Sequence, residues 1–232
     1  MRILYSPEIF SAQKYGGISR YYTDLISEMM SDNDIIIPQL IHNNVHLREY
    51  QASNDIKKFG KYINIKTKLL LLSRFANEYL LNKSVKKLER NNHSYIYHST
   101  FFVDFIKSRR SRKIVTVYDM INEKFGQTLN LPKNKNIILQ KQKAMQNADH
   151  IIAISETTKN DILNYTNIHA DKITVVHLNA SKHFNINRTL NIKKQNTILY
   201  VGNRNYYKNF RVLIDSLSKD KYLKSNFKLI CF

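Results

Sequence analysis

Short apolar runs alternate with apolar residues at helical spacing along this chain. Arg2 to Ser6 is a brief apolar run and predicts a strand. After Gly16-Gly17, apolar and aromatic residues recur at Ile18, Tyr21, Tyr22, Leu25, Ile26 and Met29, the spacing of one helix face. Asp34 to Pro38 predicts a second strand. Later runs predict strands at Tyr95 to His98, Lys113 to Tyr118, His150 to Ile154, Ile173 to Leu178, Ile198 to Val201 and Phe227 to Cys231. Several are near-continuous Ile/Val/Tyr runs, as expected of parallel strands buried on both faces. Helical segments lie between many of them. One follows Gly202, with Phe210, Leu213, Ile214 and Leu217 at i, i+3, i+4 and i+7. The pattern predicts an α/β fold with a parallel, doubly wound sheet.

The polar stretch Asn185 to Asn196 separates two apolar blocks. Loops of that length are uncommon inside compact domains, so it is read as a linker. The expected division is a complete Rossmann-like domain over 1–184, a linker over 185–196 and the start of a second such domain over 197–232. One strand, one helix and one more strand cannot cover both faces of a sheet. The second domain is therefore expected to be truncated.

Charge narrows the class of partner. The formal net charge is +19. That implies an anionic partner: a membrane surface, a nucleic acid or a phosphorylated substrate. Cys231 is the only cysteine, which excludes an internal disulfide and a thiolate metal site and fits a reducing cytoplasm. The opening apolar stretch is interrupted at once by Pro7 and Glu8, unlike a secretory signal. The longest apolar run, Leu69 to Leu72, falls far short of the roughly 20 residues of a spanning helix. A cytoplasmic protein is expected, soluble or peripheral at the inner face of the membrane.

Much of the charge falls between Lys57 and Arg90, where Lys57, Lys58, Lys61, Lys66, Lys68, Arg74, Lys83, Lys86, Lys87 and Arg90 face only Glu78 and Glu89. Leu69, Leu72, Phe75, Ala76, Tyr79 and Leu80 interleave at helical spacing. Two readings stand open: a basic amphipathic helix on an anionic bilayer, or the solvated face of a helix packed on its own sheet. A second cluster, Lys107 to Lys113, sits just before a strand and is open to the same readings. Nucleic acid is not expected, because no zinc-ligand spacing, RNA-recognition pattern or helix-turn-helix pattern is present.

Four segments carry candidate chemistry. Tyr15-Gly-Gly-Ile-Ser-Arg-Tyr-Tyr22 is a glycine turn leading into a helix, and paired glycines let a backbone come close to a ligand. It lacks the third glycine of a dinucleotide fingerprint, and no acidic residue ends the second strand, so a nicotinamide cofactor is not expected. A buried strand ends in Tyr118-Asp119, where ligands bind in open α/β sheets. Asp119 is also placed to cap the next segment. In Ala148-Asp-His-Ile-Ile-Ala-Ile-Ser-Glu156, Ser155 is a good helix N-cap and Glu156 sits in the first turn, with or without a ligand. Finally, Thr197-Ile-Leu-Tyr-Val-Gly-Asn-Arg-Asn-Tyr-Tyr-Lys-Asn-Phe210 puts Arg204 and Lys208 between a strand and a helix N-terminus. Backbone N–H groups and the helix dipole favour an anion there. The alternative is that both are solvated loop charges. No Asp-x-Asp stands at a strand end and no His/Cys cluster has ligand spacing, so no metal is expected.

Taken in order, these segments and Lys-Ile-Thr-Val-Val-His resemble the family 4 glycosyltransferases of the two-Rossmann (GT-B) fold. The resemblance covers nearly the whole chain, and motifs in order are more specific than any one alone. It implies transfer of a sugar from a nucleotide-sugar to an acceptor, with retention at the anomeric carbon, as in enzymes that build bacterial surface polysaccharides. It implies a GDP- or UDP-hexose as substrate, no cofactor, and a saccharide or lipid-linked acceptor held by the first domain. By the same resemblance Arg204 and Lys208 bind the donor diphosphate. Gly16 and Gly17 lie against donor and acceptor, and Tyr118, Asp119, Ser155 and Glu156 line the cleft. No residue is assigned as the catalytic group. The chain departs from the family in two places. Tyr118 stands where many members have His, and a phenol is no base near neutral pH. The E-x7-E carboxylates of the second domain are absent, since no Glu follows Glu156. The chain is thus expected to be a truncated, inactive form. The alternative is a non-catalytic module, derived from a split transferase, that binds a membrane or a partner chain.

Overall fold

The computed structural model describes all residues except 40, 55–58, 65–66, 103–105, 129–133, 181–194, 203 and 205–207, together with the side chains of 67–71 and 134. The chain divides into two compact bodies. Met1–Gly126 with Pro132–Ser181 form the first, and Gln127–Leu131 with Lys182–Phe232 the second. The expected linker falls outside the described residues, except for Gln195 and Asn196.

In the first body, six strands form one parallel sheet. They are β1 (Arg2–Tyr5), β2 (Asp34–Ile36), β5 (Tyr95–Ser99), β6 (Ser111–Val117), β7 (His150–Ala153) and β8 (Ile173–Val175), in the order β2-β1-β5-β6-β7-β8. Alternation along β1 shows why the sheet is covered on both faces. Ile3 and Tyr5 pack against Tyr22 and Ile26 of α2 (Gly17–Met29). Leu4, pointing the other way, packs against Leu81, Val85 and Leu88 of α4 (Thr67–Arg90). Farther along, Val115, Val117, Ile151 and Ala153 join Ala144 and Met145 of α6 (Asn134–Asn147) and Ile162 of α7 (Glu156–Tyr165). Each fully buried side chain of this kind contributes roughly 1.5–3 kcal/mol. The strand order reverses between β1 and β5, and the crevice at such a reversal is where ligands bind in open α/β sheets.

Several elements differ from expectation. β6 starts at Ser111 and takes Arg112 and Lys113 of the second basic cluster into the sheet. Its register with β5 pairs Tyr95 with Ser111, and pairing rather than apolarity sets its start. It stops at Val117, one residue short of Tyr118, and β8 stops at Val175, short of Leu178. Two elements of the first body are not foreshadowed by periodicity. One is the short helix α1 (Glu8–Ala12). The other is a two-stranded parallel ribbon of β3 (Ile41–His42) and β4 (Lys61–Tyr62), which flanks α3 (Val45–Ser53).

The second body holds β9 (Thr197–Tyr200), α8 (Phe210–Lys219), α9 (Lys221–Asn226) and β10 (Lys228–Cys231), with β9 and β10 paired in parallel. α9 was not expected. It is set off from α8 by Asp220, whose carboxylate accepts from Leu223 N at 2.9 Å and caps a new helix.

Candidate active site at the carboxyl edge of the sheet

The segments after β1, β5, β6 and β7 meet at one edge of the sheet. Ser6, just past β1, donates or accepts at 3.1 Å with Thr100, just past β5. The backbone N–H of Thr100 also donates to Ser6 Oγ at 2.8 Å. The two strands at the reversal are thus tied at their ends.

Gly16 and Gly17 open α2. No side chain caps the helix from the N-cap position itself. Instead Gln13 reaches in, and its Oε1 accepts from Ser19 N at 3.2 Å. The loop is fixed from behind by Asn44, whose amide donates to the Gln13 carbonyl at 2.6 Å while its Oδ1 accepts from Leu47 N at 2.9 Å to cap α3. Gly17 is exposed.

Tyr118 follows β6. Its ring meets Tyr21 of α2 edge to face at 5.6 Å, which joins the glycine helix to the end of β6. The Tyr118 hydroxyl is buried and has no hydrogen bond of ordinary length among the described residues. Burial, reinforced by Tyr22 and Tyr21, pushes this phenol far above its usual range, so it stays protonated. In the core, His98 Nε2 is 2.9 Å from Thr116 Oγ1 and 3.4 Å from the Tyr22 hydroxyl. Burial lowers the His98 imidazole to about 4, so the ring is neutral at pH 7. Tyr22 in turn donates to the Ser99 carbonyl at 2.9 Å. The spacing of His98 in its strand reads as core, and only the fold brings it to Thr116 and Tyr22.

Asp119 is exposed, and its Oδ1 accepts from Ile121 N at 3.1 Å at the start of α5 (Ile121–Phe125). The Asp119 carbonyl accepts from Lys141 Nζ at 3.0 Å, and that ammonium also pairs with Glu123 at 2.9 Å. Both members of the pair are almost fully buried, with 2% and 3% of their side chains exposed. The Lys141 ammonium lies 5.4 Å from the centre of the Phe102 ring. Lys141 and Glu123 look like ordinary surface residues in the sequence, so nothing there marks them as the anchor of this turn. Ser155 Oγ accepts from Thr158 N at 3.1 Å and caps α7, while Thr158 Oγ1 donates to the Tyr118 carbonyl at 3.3 Å. Glu156 stands exposed in the first turn. The structure therefore brings Gly16, Gly17, Tyr118, Asp119, Ser155 and Glu156 to one edge.

In the second body, β9 leads to Gly202, whose φ of +137° is one that side-chain-bearing residues rarely adopt. Arg204 and Lys208 are both exposed and precede α8. The Arg204 guanidinium lies 5.5 Å from the centre of the Phe210 ring, and that ring packs on Tyr200 at 4.6 Å. Among the described residues no group of three or more His, Cys, Asp or Glu could hold a metal ion, and no helix is long and apolar enough to cross a membrane.

Comparison with known proteins decides the family. The profile of Glycosyltransferase Family 4 matches residues 15–178, from the glycine turn past the end of β8. The chain belongs to Glycosyltransferase Family 4. It is, by family, a glycosyltransferase. Among solved structures it is similar to TarM of S. aureus, a variant of which was crystallised with fondaparinux, alpha-GlcNAc-glycerol and UDP. There the identity is 12%, the TM-score 0.58, and the coverage 99% of this chain and 71% of that one. A glycosyltransferase from Rickettsia africae ESF-5 gives 16%, 0.55, 99% and 68%. The lipopolysaccharide outer core galactosyltransferase WaaB gives 16%, 0.53, 100% and 68%. At such identities these GT-B enzymes share the fold with this family 4 chain, and no more is read from them. Comparison with curated proteins gives no match.

Proposed function

We propose that this glycosyltransferase moves a hexosyl group from a GDP- or UDP-linked donor to a saccharide or lipid-linked acceptor, with retention and without a metal, in surface-polysaccharide synthesis. The observation that carries this reading is the turn after β9. There Gly202, Arg204, Lys208 and the N-terminus of α8 follow one another in sequence, so that two cations and a helix N-terminus can meet a diphosphate. When the glycosidic bond breaks, its electron pair leaves with the nucleoside diphosphate, and fixed cations stabilise that charge. The first body supplies the acceptor side through the edge formed by Gly16, Gly17, Tyr118, Asp119, Ser155 and Glu156. With a protonated phenol at Tyr118 and a neutral imidazole at buried His98, this edge offers hydrogen bonds rather than a strong base. α4 supports a seat on the inner face of the cytoplasmic membrane. Leu72, Phe75 and Tyr79 are exposed one or two turns apart, with Lys83, Lys86, Lys87 and Arg90 exposed along the same helix. One observation favours the second reading, a non-catalytic module completed by a partner chain: Leu199, Val201 and Val212 of the second body are more than half exposed.

Titration calorimetry with UDP and GDP tests the donor site. Binding of both nucleotides is expected, since the two share the diphosphate that meets the cations. Arg204→Ala and Lys208→Ala should each weaken it by roughly tenfold, the value of one charge-assisted hydrogen bond. Lys219→Ala, at the far end of α8, should not. Equal affinity in all three would mean that the nucleotide answers only to net charge, and the reading would fall.

A further inference from the structure

A cavity of about 300 Å³ lies between α1 and α4, immediately after the carboxyl end of β1. Pro7, Glu8, Ser11, Arg74, Phe75 and Glu78 line it. Its volume is at the lower end of the range for small-ligand pockets. Its floor is fixed: Asn77 donates to Ser11 Oγ at 3.2 Å and to the Ile41 carbonyl at 3.1 Å. The Glu8 carboxylate is the odd group. Its Oε2 is closed off from solvent yet has no hydrogen-bond partner among the described residues. Leaving such an oxygen unpaired is unfavourable by about 1–3 kcal/mol or more, so it calls for a ligand.

The charges on the wall select the ligand's class. A cation would meet the Arg74 guanidinium, and an anion would meet both Glu8 and Glu78. A neutral ligand with several hydroxyls suits all of them. One O–H donates to a Glu8 carboxyl oxygen, another oxygen accepts from Arg74, and a C–H face rests on Phe75 and Pro7. Burial pushes the Glu8 carboxyl up to about 7, against the lowering effect of hydrogen bonds from Ser6 and its own backbone and of the Arg74 charge. Phe75 is 71% exposed, and a sugar face would cover its ring.

We propose that this cavity binds a neutral polyhydroxylated group, a pyranoside or a short polyol, through Glu8, Arg74 and Phe75. In a transferase that group is one end of the acceptor, an assignment that rests on the function proposed above, whereas the binding itself does not. Saturation-transfer NMR on the full chain tests it without any sugar donor. The probes are methyl α-glucopyranoside, methyl β-galactopyranoside and glycerol, with methylammonium and inorganic phosphate as charged counterparts. At least one neutral probe should bind. Its affinity should fall about tenfold or more in both Glu8→Gln and Phe75→Ala, and should be unchanged in Leu139→Ala, an exposed position on α6. The proposal is overturned if none of the neutral probes binds, if both variants bind as the parent does, or if a charged probe binds better. UDP titrated into the same sample reports separately on the donor site. Lost glycoside binding with intact UDP binding overturns the cavity alone. Glycoside binding that obeys the variants supports the cavity even where UDP does not bind.

Discussion

Gly16 and Gly17 are neighbours in sequence with different reasons to be glycine. A Cβ built on Gly16 would fall 2.2 Å from Gln13 Oε1, the atom that caps α2 through Ser19 N. Gly16→Ala must push that carboxamide aside and should destabilise the protein by about 1 kcal/mol, the usual value of a lost cap. Around Gly17 a Cβ meets nothing within 4 Å. Gly17→Ala should leave stability unchanged or raise it by up to ~1 kcal/mol, since alanine is the better helix former. Urea denaturation of both variants measures this. If Gly17→Ala also impairs transfer while folding well, the open space beside it is ligand space. Two buried groups give stability a pH dependence of opposite sign. Glu8, raised to about 7, holds a proton in the folded state that the unfolded chain has released, so its share of stability falls as pH rises from about 4.5 to 7. His98, lowered to about 4, stays neutral in the folded state while the unfolded imidazole takes up a proton, so its share rises with pH between about 4 and 6.5. The two should largely cancel between pH 4.5 and 6.5. In Glu8→Gln the rise due to His98 should be uncovered, with His42 and His46, whose imidazoles burial also lowers, adding to it, and unfolding free energy should climb by a few kcal/mol across that window. A flat profile in the variant would contradict the assignment.

Among elements, the α5–α6 pair carries the most localised energetic bet. Lys141 and Glu123 form a buried ion pair, and Lys141 also holds the Asp119 carbonyl. Removing one member leaves a buried charge alone, which typically costs about 3–5 kcal/mol. Lys141→Met should therefore destabilise strongly, and Lys141→Met with Glu123→Leu should recover most of the loss, as thermal unfolding of the two variants would show. This pair also marks where the sequence stops being legible. The main strands announce themselves, because near-continuous runs such as Ile114 to Val117 have few other ways to be buried. α2 does so because Ile18, Tyr22 and Ile26 share one face. The capping role of Ser155 follows from its side chain alone, and the structure shows it, whereas Asp119 accepts from Ile121 N in the turn before α5 and the N-cap position there is Met120. Lys141, Glu123, Gln13 and Asn44 do not announce themselves. Each acts through a partner distant in sequence, and local pattern carries no trace of such pairs. α1 and the β3–β4 ribbon are too short for periodicity to register. Glu8 is hidden for another reason: next to Pro7 it reads as the polar end of a strand, and its burial depends on α4.

For the molecule as a whole, the surplus of positive charge and the exposed face of α4 point the same way. Vesicles containing anionic lipid should bind the protein more tightly than neutral ones, and the preference should fade as salt is raised. At about 1 kcal/mol per basic residue near the surface, Lys86→Glu with Lys87→Glu should weaken binding at least ~10-fold. Sedimentation with vesicles measures it, and equal binding to both lipid types would exclude a charge-guided seat. The strand order has a consequence for how the chain is made. β1 leaves the ribosome before the other strands of its sheet, yet it lies inside that sheet, with Ile3 paired to Ile35 on one side and Ile96 on the other. Its second neighbour is therefore synthesised only after some ninety further residues, which at about 5–20 residues per second is a delay of roughly five to twenty seconds. Through that interval one edge of β1 is unpaired, and Leu4 has no cover until α4 emerges near its end. Once β5 appears, β6, β7 and β8 can each add to the growing edge as they emerge. The nascent chain is thus most exposed to mispairing in its first half, and codons or chaperones that act before Tyr95 should govern its yield more than anything after it.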